Sequence, residues 1–382
     1  GGDRTFTFQL VSGVDVYGGF EGYGGAEETD LSQRDWSLNT TMLDADVGGG
    51  LSAYHVVTGA DGAVLDGFVI KNGSADTAGD ETGGGMYNNG VSPTVRNCFF
   101  VNNKAVWGGG MGNISGASPT VINCVFYLND ATSDGGGMYN YSLSVSQIVN
   151  CTFYANTASN GGGVFNGNDS DPVITGTILW GNTAVSGNDL LNSNPTIDQP
   201  LVSYSDIGGS GGSGTTWDSD FGLDGGGNID ADPLFVDTNS VDGPDGEFMT
   251  DDDGLGLSYT SPCKDAGTAV GEPFDIIGVT RPQGSEYDMG AYEYVDMHLY
   301  VTLPSSAMEG ETGLVGWVSI ATAQSSDLTI NLLSSDYGEV DVSSTVIISA
   351  GATSTSFSLT IVDDTIEDGP QNVTVTASSS GW

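Results

Sequence analysis

Carboxylates are the side chains best placed to do chemistry in this sequence. Residues 237–253 carry Asp242, Asp245, Glu247, Asp251, Asp252 and Asp253, separated by Gly and Pro. Oxygen donors spaced by turn residues suit a hard cation such as Ca²⁺, so Asp242, Asp245, Asp251 and Asp253 form the first candidate metal set. The register departs from the EF-hand loop, which places ligands at alternate positions and closes on Glu. A solvated acidic loop fits the same residues as well. A second set, Glu309, Asp336, Asp363, Asp364 and Asp368, lies near the carboxyl end. Ca²⁺ is the expected cofactor.

Other chemistries find less support. Two carboxylates on neighbouring strands could hydrolyse a glycoside, because separations of about 5 to 9 Å arise readily there. Abundant Asp and Glu produce such pairs without any catalytic purpose. The cations Arg4, Arg34, Lys71, Arg96, Lys104, Lys264 and Arg281 are scattered rather than repeated at one position. His55 lies in an apolar strand and reads as a packed histidine, and Arg281 near Asp288 reads as a structural ion pair. Trp107, Trp180 and Trp217 could stack on sugar rings, although Trp180 sits inside a strand pattern and reads as packing. No catalytic residue is assigned.

The elements that must position these groups form a repeat. Gly83-Gly84-Gly85-Met86-Tyr87-Asn88 returns as Gly108-Gly109-Gly110-Met111-Gly112-Asn113, as Gly135-Gly136-Gly137-Met138-Tyr139-Asn140 and as Gly161-Gly162-Gly163-Val164-Phe165-Asn166. The steps are 25, 27 and 26 residues. Such a period marks a solenoid of stacked units. Each unit also carries a strand start at Pro93, Pro119 or Pro172, and an apolar run closing on Asn103, Asn129, Asn156 or Asn182. Three short strands per unit can bury their faces only by stacking on the next unit. Met86, Met111, Met138 and Val164 are expected inside on one strand, and Phe100, Phe126, Phe153 and Leu179 inside on another. The Asn residues are expected in columns whose amides bond along the axis.

Cys98, Cys124 and Cys151 share one repeat position. Equivalent residues lie about 4.8 Å apart up a parallel stack, but their side chains point the same way. Buried thiols are expected in preference to a bridge.

The chain flanking the repeats is irregular. Residues 5–20 alternate like strands of a first coil, and residues 21–39 form a polar excursion holding a helical turn. Residues 208–296 contain a Gly/Ser run and broken strand patterns, which predict a cap over the far end of the stack. From residue 297 Gly thins out, and strands are predicted at 314–320, 328–333, 346–348, 356–362 and 373–377, spaced like a small β-sandwich. No closing strand follows before Trp382, so the native polypeptide is expected to continue. The expected fold is all-β: a right-handed parallel β-helix over residues 1–296, then an antiparallel β-sandwich over residues 297–382.

Composition narrows the partners. The 382 residues hold 7 Lys plus Arg against 50 Asp plus Glu, a net charge of −43. Nucleic acid, anionic membranes and acidic polysaccharides are bound through Lys and Arg, so they are excluded as expected partners. No apolar stretch has the length that spans a bilayer.

The GGGMYN phrases, each followed by a CxFxxN phrase at 98–103, 124–129 and 151–156, resemble polymorphic outer-membrane-protein-type repeats of secreted bacterial right-handed β-helix proteins. Residues 178–184, 228–237, SPCKDAG at 261–267 and DMGAYEY at 288–294 resemble the carboxyl-terminal end of β-helix domains in large bacterial surface proteins. The segment Ile361-Val362-Asp363-Asp364-Thr365-Ile366-Glu367-Asp368-Gly369 resembles a Calx-beta-type sandwich, a family whose acidic loops often bind Ca²⁺. Gln371 stands at a later acidic position of that motif. A polygalacturonase-like site is matched only by Asn228-Ile229-Asp230 and Asp251-Asp252, with no Gly-His-Gly and no Arg-x-Lys. A pectate-lyase-like base is hard to supply from so few cations.

These readings imply a non-enzymatic extracellular or cell-surface protein, structural or adhesive, with glycans or other surface proteins as partners or self-assembly into fibres. The alternative is a carbohydrate-active or carbohydrate-binding β-helix acting on a neutral or weakly charged polysaccharide.

Overall fold

The computed structural model describes residues 3–22, 30–36, 38–321, 327–363 and 369–379. The chain divides into two compact units, Gly1–Tyr294 and Val295–Trp382. Among the described residues every regular element is a strand apart from two short 3₁₀ turns.

The first unit is a parallel β-solenoid. Its strands stack into four parallel sheets of seven, eight, seven and five strands among the described residues. The first face contains Met86–Asn89, Met111–Ile114, Met138–Tyr141 and Val164–Gly167, paired in register so that Met111 meets Met86 below and Met138 above. The second face follows Pro93, Pro119, Ser146 and Pro172, with Thr94–Arg96, Thr120–Ile122, Gln147–Val149 and Val173–Thr175. The third face holds Phe99–Val101, Val125–Tyr127, Thr152–Tyr154 and Ile178–Trp180. Each unit thus offers one strand more than the three expected. This fourth face, with Lys104–Trp107, Asp130–Asp134, Thr157–Asn160 and Thr183–Ser186, is mostly polar and pairs through its backbone. An apolar pattern cannot disclose it.

Repetition places like on like in the interior. Met86, Met111, Met138 and Val164 are fully buried, as are Phe100, Phe126, Phe153 and Leu179. The Phe100, Phe126 and Phe153 rings stack at 4.6 and 4.4 Å, nearly parallel. Cys98, Cys124 and Cys151 are buried free thiols. The Cys124 and Cys151 thiols donate to Val95 O and Val121 O of the preceding coil.

The corner residue before each Cys has a left-handed backbone, with φ of 50, 49 and 48° at Asn97, Asn123 and Asn150. Asn tolerates this conformation better than other side-chain-bearing residues. At the other corner the first Gly of each triplet also has positive φ, while the third has no room for a side chain. A Cβ on Gly110 would lie 2.5 Å from Gly137 O.

The ends differ from one another. At the amino end Asp30 caps the 3₁₀ turn Leu31–Gln33 in a capping box with Gln33, and the Arg34 guanidinium grips Asp66 through Nη1 and Nη2 at 3.0 and 3.1 Å. At the far end Trp217 and Phe221 pack against the core that includes Leu190, Val202 and Ile207.

Residues 234–294 do not lie over that end. They run back along the outer side of the third face as a strap, where Phe99, Val101 and Val125 pack against Val241, Met249, Leu255, Ile276 and Tyr292. Further contacts track the strap down the stack: Ala291 N donates to Thr152 Oγ1, Asn150 Nδ2 to Val270 O and Asn123 Nδ2 to Phe274 O, and Arg96 pairs with Glu272 at 2.7 Å. The outward side chains of the third face are apolar, so a second layer is required to take them out of water.

The second unit is an antiparallel sandwich. One sheet orders Tyr300–Thr302, Leu314–Ser319, Ser354–Ile361 and Val340–Val342; the other orders Thr345–Ile348, Leu328–Ser334 and Val375–Ser378. Val318, Phe357 and Leu359 of the first meet Ile330, Leu332 and Ile348 of the second in one buried cluster.

Candidate functional site

The acidic loop does not turn all its carboxylates the same way. Asp245 and Asp251 are exposed and Asp242 is half-buried, whereas Asp253 points inward and is buried. Asp253 Oδ2 accepts from the Tyr292 hydroxyl and from Met249 N, and burial pushes its carboxyl up to about 7. Asp245 serves its own turn by accepting from Glu247 N at 2.8 Å.

In the sandwich Glu309, Asp336 and Asp363 are exposed. Asp336 accepts from Gly338 N at 2.8 Å, and Asp363 packs beside Gly310. Glu309 lines a cavity of about 400 Å³ together with Glu339, Leu314, Leu359 and Val375. Asp364 and Asp368 lie outside the described residues. Among the described residues no group of three or more His, Cys, Asp or Glu side chains is gathered as a metal would need.

The carboxyls that the structure does bring together lie where the strap meets the stack. Asp206, at the start of the strand Asp206–Ile207, is fully buried. It accepts from Ala231 N at 3.1 Å and from the Cys263 thiol at 3.2 Å. Burial raises it to about 7, with Asp230 and Asp189 adding like charge. Asp189, raised to about 6 by burial, accepts from Asn182 N and Nδ2.

Within the strap three carboxyls surround one guanidinium. Arg281 pairs with Glu293 at 3.1 Å, both side chains being fully buried. Its predicted partner Asp288 receives it only through the backbone carbonyl, at 3.0 Å. Asp288 turns its carboxylate instead to Asp265 N and Tyr294 N. Asp275 accepts from Ile277 N, Val279 N and Glu293 N. Burial raises Asp288 to about 7 and Asp275 to about 6, and raises Glu293 as well.

Acids held neutral near pH 7 are what general-acid catalysis uses. Here, however, Asp206, Asp275 and Asp288 are sealed from solvent, and their oxygens knit turns together. Their arrangement fastens chain to chain. Sequence reasoning missed this cluster because its members come from separate segments; the signal available was Asp and Glu beside apolar residues, as in Asp288-Met289 and Tyr292-Glu293.

The remaining candidates are structural. His55 Nδ1 lies 2.9 Å from Gly83 O, its ring stacks on Tyr87, and burial lowers its pKa. Asn228 Nδ2 donates to Val202 O and to Asp224. Trp217 Nε1 donates to Gly222 O. On the outer side of the first face Tyr139, Tyr141 and Phe165 stack into an aromatic patch, which Trp107 of the fourth face extends beside Tyr139. No family model, curated protein or solved structure matches the chain.

Proposed function

We propose that this is a non-enzymatic extracellular or cell-surface protein, structural or adhesive, in which an acidic β-solenoid acts as a rigid rod. The observation that carries this reading is the continuity of the internal polar columns. Asn103, Asn129, Asn156 and Asn182 are joined amide to amide at 3.0, 2.9 and 2.8 Å. Asn88, Asn113, Asn140, Asn166 and Asn192 form a second column. Two such ladders, each bond buried, stiffen the axis and leave the outer faces free to vary. The likeness of the repeats to polymorphic outer-membrane-protein-type repeats, and of the final segment to Calx-beta modules, supports the same placement. Ca²⁺ is proposed to bind the outward acids Asp242, Asp245 and Asp251, and Glu309, Asp336 and Asp363 of the sandwich.

The test pairs two assays on the full chain. Protein-coated beads are scored for adhesion to one another and to glycan- or protein-coated surfaces, and the soluble protein is screened on neutral polysaccharides for new reducing ends and unsaturated products. Adhesion with no product supports the reading; sustained release of sugar ends would overturn it.

A second reading, a carbohydrate-binding face, is favoured by the aromatic patch. Tyr141 is 40% exposed and stacks on Tyr139 at 5.4 Å. An exposed ring can pack against the apolar face of a neutral sugar. Retention on a neutral glycan that Tyr141→Ala abolishes would establish it, and equal retention of both proteins would dismiss it.

A further inference from the structure

We propose that residues 234–294 form a proton-dependent strap: its closure on the third face is strengthened by the proton on Asp206, and it opens more readily as the solution becomes alkaline. The inference does not depend on the structural or adhesive reading.

Asp206 stands at the junction. It belongs to the stack, pairing with Ile178 of the neighbouring strand, yet its Oδ2 is reached by the thiol of Cys263 in the strap. Oδ1 has one backbone donor, Ala231 N. The ionisable groups facing Asp206 are acids or the thiol itself: Asp189 and Asp230 from the turns at the far end of the stack, and Cys263 from the strap. Asp288 of the strap faces Cys263 in turn. The ammonium of the adjacent Lys264 is engaged over the Tyr259 and Tyr294 rings, at 4.7 and 4.5 Å.

A carboxylate there would be sealed from solvent and, among the described residues, without a facing cation, a costly state that protonation relieves. Burial accordingly places the group's titration at about 7 in the closed form. An acid whose pKa is higher when closed than when solvated favours closure fully below its solvated value, about 4. That contribution is lost as pH rises through 7. Asp275, Asp288 and Glu293 act in the same sense, because three carboxyls share the single guanidinium of Arg281. Opening admits water to all of them and uncovers Phe99, Val101, Val125 and Ile178, which are buried beneath the strap.

The thiols supply the test. Cys263 reports on the strap, while Cys98, Cys124 and Cys151 are buried in the stack and serve as internal references. In the full chain, each thiol's protection against a maleimide is measured from pH 5 to 9 as its labelling rate in the urea-unfolded chain divided by that in the folded protein. Peptide mass spectrometry resolves the four sites. Protection of Cys263 is expected to fall at least roughly tenfold between pH 5 and pH 8, with the other three unchanged. Asp206→Asn keeps an oxygen for Ala231 N and cannot ionise, so its protection should fall clearly less than the parent's between pH 5 and pH 8, the remainder coming from Asp275, Asp288 and Glu293. Asp189→Asn removes a neighbouring negative charge and lets Asp206 ionise more easily in the closed form, so the fall should be smaller than the parent's and level off at lower pH, which keeps the test decisive if Asp206→Asn does not fold. Constant protection of Cys263 in the parent, a loss shared by all four thiols, or a parental profile in the variants would each overturn the proposal.

Discussion

Asn182 ends its ladder on Asp189: its backbone N and its Nδ2 both donate to Asp189 Oδ1, at 3.1 and 2.7 Å. Asn156 makes the same pair of bonds to Asn182 Oδ1, at 3.0 and 2.8 Å. A carboxylate thus takes the place of the next amide, supplied from only seven residues further along rather than from a full coil. The column is terminated by an acceptor that needs no donor above it.

Asp189→Asn should be nearly isosteric and keep both bonds from Asn182. Because burial raises Asp189 to about 6, the parent loses this group's stabilisation as pH rises from about 4 through 6. The variant lacks that loss. Thermal melts should show similar stability at pH 4.5 and a higher Tm for the variant at pH 8; a variant less stable at pH 8 would contradict the assignment.

Asn129 is bonded on every side. Its Oδ1 accepts from Asn103 N and Nδ2, and its Nδ2 donates to Phe100 O and to Asn156 Oδ1. Asn129→Ala strands buried donors and acceptors in two neighbouring coils, and unsatisfied buried groups cost roughly 1–3 kcal/mol each. A loss of about 3 kcal/mol or more is expected in urea unfolding. A loss below about 1 kcal/mol would mean that the ladder contributes little.

The period of Gly triplets and the Met, Phe and Asn columns were legible in the sequence because a solenoid writes each interior position once per coil. The strand Lys104–Trp107 and its equivalents in the next three coils were not, since only the small side chains of Ala105 and Ala131 among them are well buried and backbone pairing leaves no apolar signature. The Asn88 column carried the same recurring signal as the Asn103 column, inside the glycine phrase, where the glycines overshadowed it. The strap escaped altogether: Ile276 reaches Phe99 through tertiary packing with no local periodicity. For the candidate metal residues, sequence spacing placed Asp251 and Asp253 together, but in the structure one is exposed and the other faces the core.

Gly110→Ala tests the corner. Its Cβ would stand 2.5 Å from Gly137 O and 2.8 Å from Phe126 Cδ1, so neighbouring coils would have to separate. Overpacking of a tight interior costs about 1–3 kcal/mol, and the expected result is a lowered Tm with weakened strand circular dichroism. Gly116→Ala provides the contrast in crowding, since a Cβ there meets nothing within 4 Å. Equal melting of the Gly110→Ala and parent proteins would show that the coils can part freely.

If the outward acids bind Ca²⁺, adding the ion to chelator-treated protein should raise the Tm, since a ligand that binds only the folded state stabilises it by mass action. Replacing Asp242, Asp245 and Asp251 together by Asn should abolish the part contributed by the loop. An unchanged Tm at millimolar Ca²⁺ would remove the metal from the proposed function.

Asp66 is the anchor of the amino-terminal excursion. It accepts two bonds from Arg34, one from Arg96 Nε at 2.9 Å and one from Asn97 Nδ2 at 2.9 Å, and only 4% of its side chain is exposed. Asp66→Asn removes the charge that balances a guanidinium itself only 6% exposed. Breaking one partner of a buried pair leaves the other uncompensated, typically about 3–5 kcal/mol. Arg34 should then swing out to water, carrying the capped turn Leu31–Gln33 with it. Limited proteolysis of Asp66→Asn should therefore cut near residues 30–36 well before it reaches the Gly-rich coils, and cleavage at the parental rate would show that Arg34 is held by Gly18 O and the Trp36 ring instead.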